Sequence, residues 1–133
     1  MLNLDPERER LDKLTELVIG GAISVHKGIG PGLLESAYEE CLCYELARAG
    51  FLFERQVSLP VSYRGVKLDC GYRMDIVVDD RVIVEVKTVE RLIAVHEAQL
   101  LSYLKMADKH VGLLLNFHTA VLRNGIKRMV NNC

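Results

Sequence analysis

The chain has 133 residues, of which half are hydrophobic and 26% are charged, a composition typical of one globular domain. No apolar run approaches the roughly 20 residues that span a bilayer, and the charged first residues lack the apolar region of a secretion signal, which favours a soluble cytoplasmic protein. A net charge of −1 argues against binding polyanions over the whole surface, but it leaves room for a local basic groove.

Two helices are predicted first. Asp5 and Pro6 form a helix start, because an acid at the N-cap precedes a proline at the first helical position. The first helix is therefore predicted to begin near Pro6, or one turn later near Leu11, and to end near Lys27. A glycine-rich loop follows it, and the second helix is expected over residues 33–49.

The second helix carries an acid in an unexpected position. On a helical wheel Glu35 falls inside the apolar stripe, between Leu42 and Leu46, whereas Glu39 is assigned to the other side. Glu45 also falls near the stripe and is the rival candidate. Glu35 either points into a functional site or is simply an acid favoured by the helix dipole near the N-terminus.

From residue 51 onwards the hydrophobic period changes to two, which predicts a three-strand meander. Its strands are expected over residues 53–63, with an edge or bend at Pro60, 66–78 and 81–88. The remaining elements are a helix over 92–107, an apolar buried strand over 111–117 and a short strand over 125–130. This order predicts an α/β sandwich around a mixed sheet.

The four cysteines show no metal-binding or disulfide pattern. None of Cys41, Cys43, Cys70 and Cys133 forms a C-x-x-C pair with another, and the first two point in different directions on a helix. Reduced thiols are therefore favoured over a zinc or iron–sulfur site.

Asp75, Glu85 and Lys87 are the first candidates for chemistry. Glu85 and Lys87 lie two residues apart on an apolar strand, so they share a face, and an ionised pair is costly to bury there without a partner. Carboxylate oxygens suit Mg²⁺ or Mn²⁺, and such a cation with a reacting phosphate would stabilise both charges. The alternative is a salt bridge at a strand end.

A shared site requires Asp75 and Glu85 on the same face of the sheet. A two-residue loop at 79–80 would pair Asp75 with Val84 and put the two carboxylates on opposite faces. We therefore predict a three-residue loop, Asp79 to Arg81, or a bulge between Asp75 and Glu85.

Gln99 and Tyr103 share a face of the helix that follows, since they are four residues apart. They could hold phosphate oxygens or fix Lys87, or they could form an ordinary polar face with a half-buried tyrosine. His96 lies on a similar face, where a local hydrogen bond is favoured over contact with phosphate or metal. Basic candidates for phosphate contacts are Arg73, Arg91, Arg123, Lys127 and Arg128.

Gly32, Glu35 and Tyr38 spell G-x-x-E-x-x-Y, and from about Leu14 to Asn131 the chain resembles the small GxxExxY proteins of the PD-(D/E)XK nuclease superfamily. The match places Glu35 at the acid of the leading helix. Three further positions match the D…(D/E)-x-K motif of the superfamily, namely Asp75, Glu85 and Lys87. Gln99 and Tyr103 match the Q-x-x-x-Y motif of its RecB-like branch. Met74 stands where the proline that names the superfamily would be.

The resemblance implies a restriction-endonuclease-like core in a single domain over residues 1–133. It implies a Mg²⁺- or Mn²⁺-dependent nuclease that acts on nucleic acid, with DNA favoured over RNA, no membrane partner, and a homodimer left open. Asp75 and Glu85 would bind the metal with Glu35 assisting. Lys87 would help to activate water, while Gln99 and Tyr103 would position the lysine and the phosphate.

Two other functions stay open from the sequence. A catalytically silent nucleic-acid- or protein-binding module could keep the same fold, although the intact acid–acid–lysine set argues against it. An enzyme that acts on a nucleotide or another phosphate ester is the other alternative, and a closed pocket rather than an open groove would mark it.

Overall fold

A computed structural model describes residues 5–132, and this part of the chain contains three α-helices, one 3-10 helix and seven strands. The elements are, in chain order, α1 (Pro6–Ile29), α2 (Glu35–Arg48), β1 (Phe53–Ser58), β2 (Val61–Tyr63), β3 (Val66–Leu68), β4 (Arg73–Val78), β5 (Val82–Lys87), α3 (Ala94–Ala107), β6 (Val111–Asn116), the 3-10 helix (Leu122–Gly125) and β7 (Ile126–Val130). The predicted α/β class around a mixed sheet is confirmed.

The first helix begins at the earlier of its two predicted starts. The Asp5 carboxylate accepts a hydrogen bond of 3.0 Å from the Glu7 amide, and Pro6 occupies the first helical turn. Apolar residues at helical spacing then bury one side of α1 against the sheet. The helix ends at Gly30, whose φ of +69° suits a glycine and whose amide donates to His26 O. None of the helices within residues 5–132 is both long and apolar enough to cross a membrane.

The main sheet has five strands in the order β1-β4-β5-β6-β7, which makes it mixed. β1, β4 and β5 are antiparallel neighbours, β6 runs parallel to β5, and β7 returns antiparallel. One face, which includes Val84 and Val86, packs against α1 and α2, and the other, which includes Ile83 and Leu114, packs against α3. Helices therefore cover both faces, as in a restriction-endonuclease-like core.

The first two strands of the predicted meander are each broken, which corrects their expected lengths. β1 stops at Ser58 and β4 begins only at Arg73, while β2 and β3 form a separate two-stranded sheet between them. Pro60 lacks the amide that a continuing ladder would need, and Gly71 turns the chain with a φ of +80°. The meander of the main sheet is therefore β1–β4–β5, with the small hairpin inserted into it.

The predicted three-residue connection between β4 and β5 is confirmed. Val78 pairs with Val82, so residues 79–81 form the loop. The same register, continued along the two strands, places Asp75 opposite Glu85 and on the same face of the sheet.

Candidate active site

Asp75 and Glu85 replace the backbone ladder where β4 and β5 separate. Glu85 Oε2 accepts a hydrogen bond of 2.8 Å from the Asp75 amide, and Asp75 Oδ2 accepts one of 2.8 Å from the Val86 amide. Direct pairing of the two strands ends one residue earlier, at Ile76 and Val84. Each carboxylate therefore uses one oxygen to satisfy the opposite strand, which leaves its second oxygen for another partner.

Burial of this pair disfavours its ionised form. The pKa of Glu85 is raised to about 8, first by burial and then by the negative charge of Asp75, against the lowering effects of the Asp75 amide and of Lys87. Burial likewise raises the pKa of Asp75, which the hydrogen bond from Val86 partly offsets. Two crowded, desolvated acids make the end of the β4–β5 pair a place that favours a bound cation.

Lys87 ends β5 and is half-buried beside the two acids. No direct ion pair joins it to Asp75 or to Glu85 within the described part of the chain, although its positive charge lowers the pKa of both carboxyl groups. The alternative of a strand-end salt bridge between these residues is therefore not what the structure contains. The Lys87 backbone is fixed to the next strand, because its carbonyl accepts from the Phe117 amide at 2.9 Å.

The buried acid of α2 is Glu39, which corrects the expectation that Glu35 lies inside the apolar stripe. Glu39 is 8% exposed, whereas Glu35 is exposed at the first position of the helix, next to Leu34 at 77% exposure. The first two residues of α2, at positions 35 and 36, are both exposed, so a stripe position there meets solvent. One turn later the helix lies against the core and brings Glu39 in with Cys43 and Leu46.

Glu39 and Gln56, which sequence reasoning missed, adjoin Asp75. Glu39 Oε2 accepts from Arg55 at 2.8 Å, and Glu39 Oε1 accepts from Gln56 Nε2 at 2.8 Å. Gln56 Nε2 also lies 3.5 Å from Asp75 Oδ1. A small open cleft of about 370 Å³ is lined by Glu35, Ser36, Glu39, Gln56 and Asp75. The one sequence signal was the polar pair Arg55-Gln56 inside a strand-like run.

Glu35 still reaches the end of β5, although from the rim. Its Oε2 accepts a hydrogen bond of 3.0 Å from the Thr88 amide, next to Lys87. The other two residues of the G-x-x-E-x-x-Y pattern shape the loop before α2. Gly32 has a φ of +99°, and the Tyr38 hydroxyl donates to Gly30 O beneath that loop.

Gln99 and Tyr103 lie on α3, across the sheet from α2. Tyr103 is 5% exposed, and burial, then the negative charge of Glu85, raise the pKa of its phenol to about 12. Gln99 is half-buried and lines, with Tyr103, an open groove of about 580 Å³. The structure thus brings Tyr103 into electrostatic range of the acid pair, and it places Gln99 one turn away in the adjoining groove.

His26 and His96 hydrogen-bond to the backbone. His96 Nδ1 accepts from the Ile93 amide at 3.0 Å at the start of α3, and His26 Nε2 lies 2.8 Å from Thr119 O. Two of the basic candidates have acidic neighbours. Arg128 pairs with Asp12 at 2.7 Å, and Lys127 lies 3.9 Å from Glu97, so the charges of both are partly neutralised.

The donor set fits a hard cation that keeps much of its own hydration. Within residues 5–132, no three His, Cys, Asp or Glu side chains form a ready-made metal cage. Asp75 and Glu85 offer two desolvated carboxylates at one place, and Mg²⁺ is commonly held by one or two carboxylates together with waters and substrate phosphates. Cysteine ligands are absent from this set, and the described cysteines, Cys41, Cys43 and Cys70, are free thiols elsewhere.

Comparison with known protein families gives a match over most of the chain. Residues 12–129 match a protein-family model described as the PD-(D/E)XK nuclease superfamily. The matched region contains all the residues of the acid pair, the cleft and the groove. No curated protein and no solved structure matches the chain.

Proposed function

Since the chain belongs to the PD-(D/E)XK nuclease superfamily, we propose that it hydrolyses phosphodiester bonds of nucleic acid, DNA in preference to RNA, with Mg²⁺ or Mn²⁺. Members of this superfamily are generally nucleases that use divalent cations. At the finer level we assign the chain to the GxxExxY group, as one nuclease domain with the Q-x-x-x-Y motif of the RecB-like branch.

The observation that carries this proposal is the pairing of Asp75 with Glu85. The two acids lie opposite each other where the ladder opens, each spends one oxygen on the other strand, and both have raised pKa values. If this region had only a structural role, continued backbone pairing would stabilise it better than two acids, because buried ionised groups without partners are unfavourable. The arrangement therefore supports a cation site at the strand ends.

Asp75 and Glu85 would hold the cation, and Glu35 would assist from the rim of the cleft. A divalent cation held there would polarise a phosphoryl oxygen and would lower the pKa of a water bound to it. Lys87 supplies a positive charge beside the acids, where it can orient the attacking water or stabilise the charge that develops on the phosphate. Gln99 and Tyr103 would position the phosphate and Lys87 from the side of α3.

A cleavage assay with Lys87→Ala tests this proposal. We expect wild-type protein with Mg²⁺ or Mn²⁺ to cut at least one of linear, nicked or branched DNA, and RNA more slowly. Lys87→Ala should reduce cleavage by on the order of 100-fold or more while the Mn²⁺-dependent rise in melting temperature survives, because lysine acts on the reaction and not on metal binding. Asp75→Asn and Glu85→Gln should lose both the cleavage activity and the Mn²⁺-dependent rise in melting temperature.

Other outcomes would favour the alternatives. Nucleic-acid binding without cleavage, unchanged by Lys87→Ala, would indicate a binding module of the same fold. Hydrolysis of mononucleotides in preference to polymers would indicate a phosphate-ester enzyme, although the open groove beside Tyr103 fits a polymer better than an enclosed pocket would.

A further inference from the structure

Gln56 has a backbone conformation that is unusual for its residue type. Its φ of +49° lies in the left-handed region, where residues other than glycine are uncommon and are held by their surroundings. The β1–β4 ladder is regular over residues 53–55 and again over 57–58, and it is interrupted only at Gln56. By the same register, the residue opposite Gln56 is Asp75. The irregular residue of β1 therefore lies directly opposite Asp75, one of the two acids.

The side chain of Gln56 lies between two carboxylates. Its Nε2 donates to Glu39 Oε1 at 2.8 Å and lies 3.5 Å from Asp75 Oδ1. Ionised carboxylates only accept hydrogen bonds, so the amide nitrogen with its two hydrogens is the end of Gln56 that fits between them. One side chain thus connects an acid of α2 with the acid of β4.

Glu39 is a fixed anchor for this connection. It is 8% exposed, and its Oε2 accepts from Arg55 Nη2 at 2.8 Å and from Arg55 Nε at 3.2 Å. Arg55 is itself held from a second side, because its Nη1 lies 2.6 Å from Glu40. The remaining oxygen of Glu39 accepts from Gln56, whose amide is therefore held by a group that two nitrogens of Arg55 already orient.

Asp75 Oδ1 is the atom that this restraint acts on. Asp75 Oδ2 accepts from the Val86 amide, so Oδ1 is the oxygen of Asp75 that is left for an added cation. Partners that orient a ligating carboxylate typically contribute 10- to 100-fold to metal affinity or activity. We propose that Gln56, anchored by Glu39, is a positioning residue that holds Asp75 Oδ1 in the orientation that binds the metal, an inference that rests on the proposed function.

Two substitutions remove the connection without disturbing the backbone. Gln56→Asn tolerates a positive φ but is one methylene too short to span both acids, and Gln56→Gly relieves the left-handed conformation altogether. Asp108→Gly is the matched control. Asp108 has a φ of +54° at the exposed C-terminal end of α3, and it does not line the cleft.

Mn²⁺ titration of the melting temperature is the primary measurement, because it reports binding without substrate. We expect the metal-free melting temperatures of both Gln56 variants to stay within a few degrees of the wild-type value, since the lost hydrogen bond to Glu39 and the relief of the positive φ oppose each other. The Mn²⁺ concentration that gives half of the maximal shift should rise roughly 10-fold in both variants and stay unchanged in Asp108→Gly. In DNA cleavage, saturating Mn²⁺ should restore most of kcat, since Gln56 acts through Asp75.

The outcomes separate this inference from the proposed function. If the wild type responds to Mn²⁺ and cleaves DNA while the Gln56 variants titrate as it does, the inference is wrong and the nuclease assignment stands. Variants that change only the metal-free melting temperature would assign Gln56 a structural role and would also overturn the inference. A wild type with neither Mn²⁺ response nor cleavage would overturn both.

Discussion

The two acids of the second helix show how much a single residue depends on its place along an element. Glu35 and Glu39 lie one turn apart, yet Glu35 is exposed and accepts from Thr88 while Glu39 is buried and pairs with Arg55. A helical wheel placed Glu35 inside the apolar stripe and Glu39 outside it, because the wheel shows neither depth along the axis nor the polar partners that a neighbouring strand offers to Glu39. The buried acid anchors its neighbours, and the exposed acid is free to meet a ligand.

Glu35→Gln tests whether the charge at the rim takes part in chemistry. Glutamine can still accept the hydrogen bond from the Thr88 amide, so the variant removes charge and little else, and stability should change by less than about 1 kcal/mol. We expect Mn²⁺-dependent DNA cleavage to fall by at least about 10-fold, approaching the loss in Asp75→Asn. Glu45→Gln, on the same helix, is the control. Wild-type cleavage by Glu35→Gln would make Glu35 a structural acid only.

At the scale of elements, the sequence predicted the start of α1 and the loop between β4 and β5 correctly, but it did not predict where the strands of the meander end. The start of α1 and the loop between β4 and β5 follow from capping chemistry and from the need to face two acids the same way. The break after Ser58 was expected only as an edge or bend at Pro60, and the break before Arg73 was missed, because alternating residues continue across both in the sequence. Whether a strand pairs with the main sheet or with a separate hairpin depends on contacts between distant residues, and propensity does not encode those.

Asn116 connects two elements and is the buried polar residue most easily tested. It is 1% exposed at the end of β6, and its side chain accepts from the Val89 amide at 3.0 Å and donates to Val89 O at 2.8 Å. These bonds hold the segment that follows Lys87 onto the neighbouring strand. The sequence placed Asn116 within the predicted strand over 111–117 and gave no sign of this role, because its partner lies 27 positions away.

Asn116→Ala should lower the free energy of unfolding by about 1 to 3 kcal/mol, since it leaves the half-buried amide and carbonyl of Val89 without their partner. Asn116→Asp should also be destabilising, because it sets an oxygen against the Val89 carbonyl in place of the donor. Urea unfolding measures both, with Asn124→Ala as an exposed control. Equal stability of Asn116→Ala and the control would contradict this role.

At the scale of the whole molecule, the sequence predicted the fold class and singled out Asp75, Glu85 and Lys87 as candidates, which the structure brings near one another. The residues that surround these three became visible only in the structure. Asp75 and Glu85 lie opposite each other in the register that the predicted loop implies, so spacing in the sequence was enough to relate them. Gln56 and Glu39 enter through the packing of α2 against β1, and no spacing rule links a helix position to a strand position. Supporting residues are therefore harder to predict than the acids that they support.

The same buried acids set the response of the whole domain to pH. The pKa of Glu85 is about 8 in the folded state and is near its ordinary value of 4.5 when the chain unfolds. Between these values the folded state binds more protons than the unfolded state, so metal-free stability falls as pH rises. Below about pH 4.5 and above about pH 8 this contribution becomes flat.

Urea unfolding in EDTA should therefore show wild-type stability falling, relative to Glu85→Gln, by on the order of 3 kcal/mol between about pH 5 and about pH 8. Saturating Mg²⁺ should reduce this fall, because the cation stabilises the ionised pair and competes with the proton. The stabilisation by Mg²⁺ should accordingly grow with pH and be lost in Glu85→Gln. A wild-type curve parallel to that of Glu85→Gln in EDTA would show that Glu85 is ionised without a metal, and the electrostatic case for a cation at the strand ends would then fail.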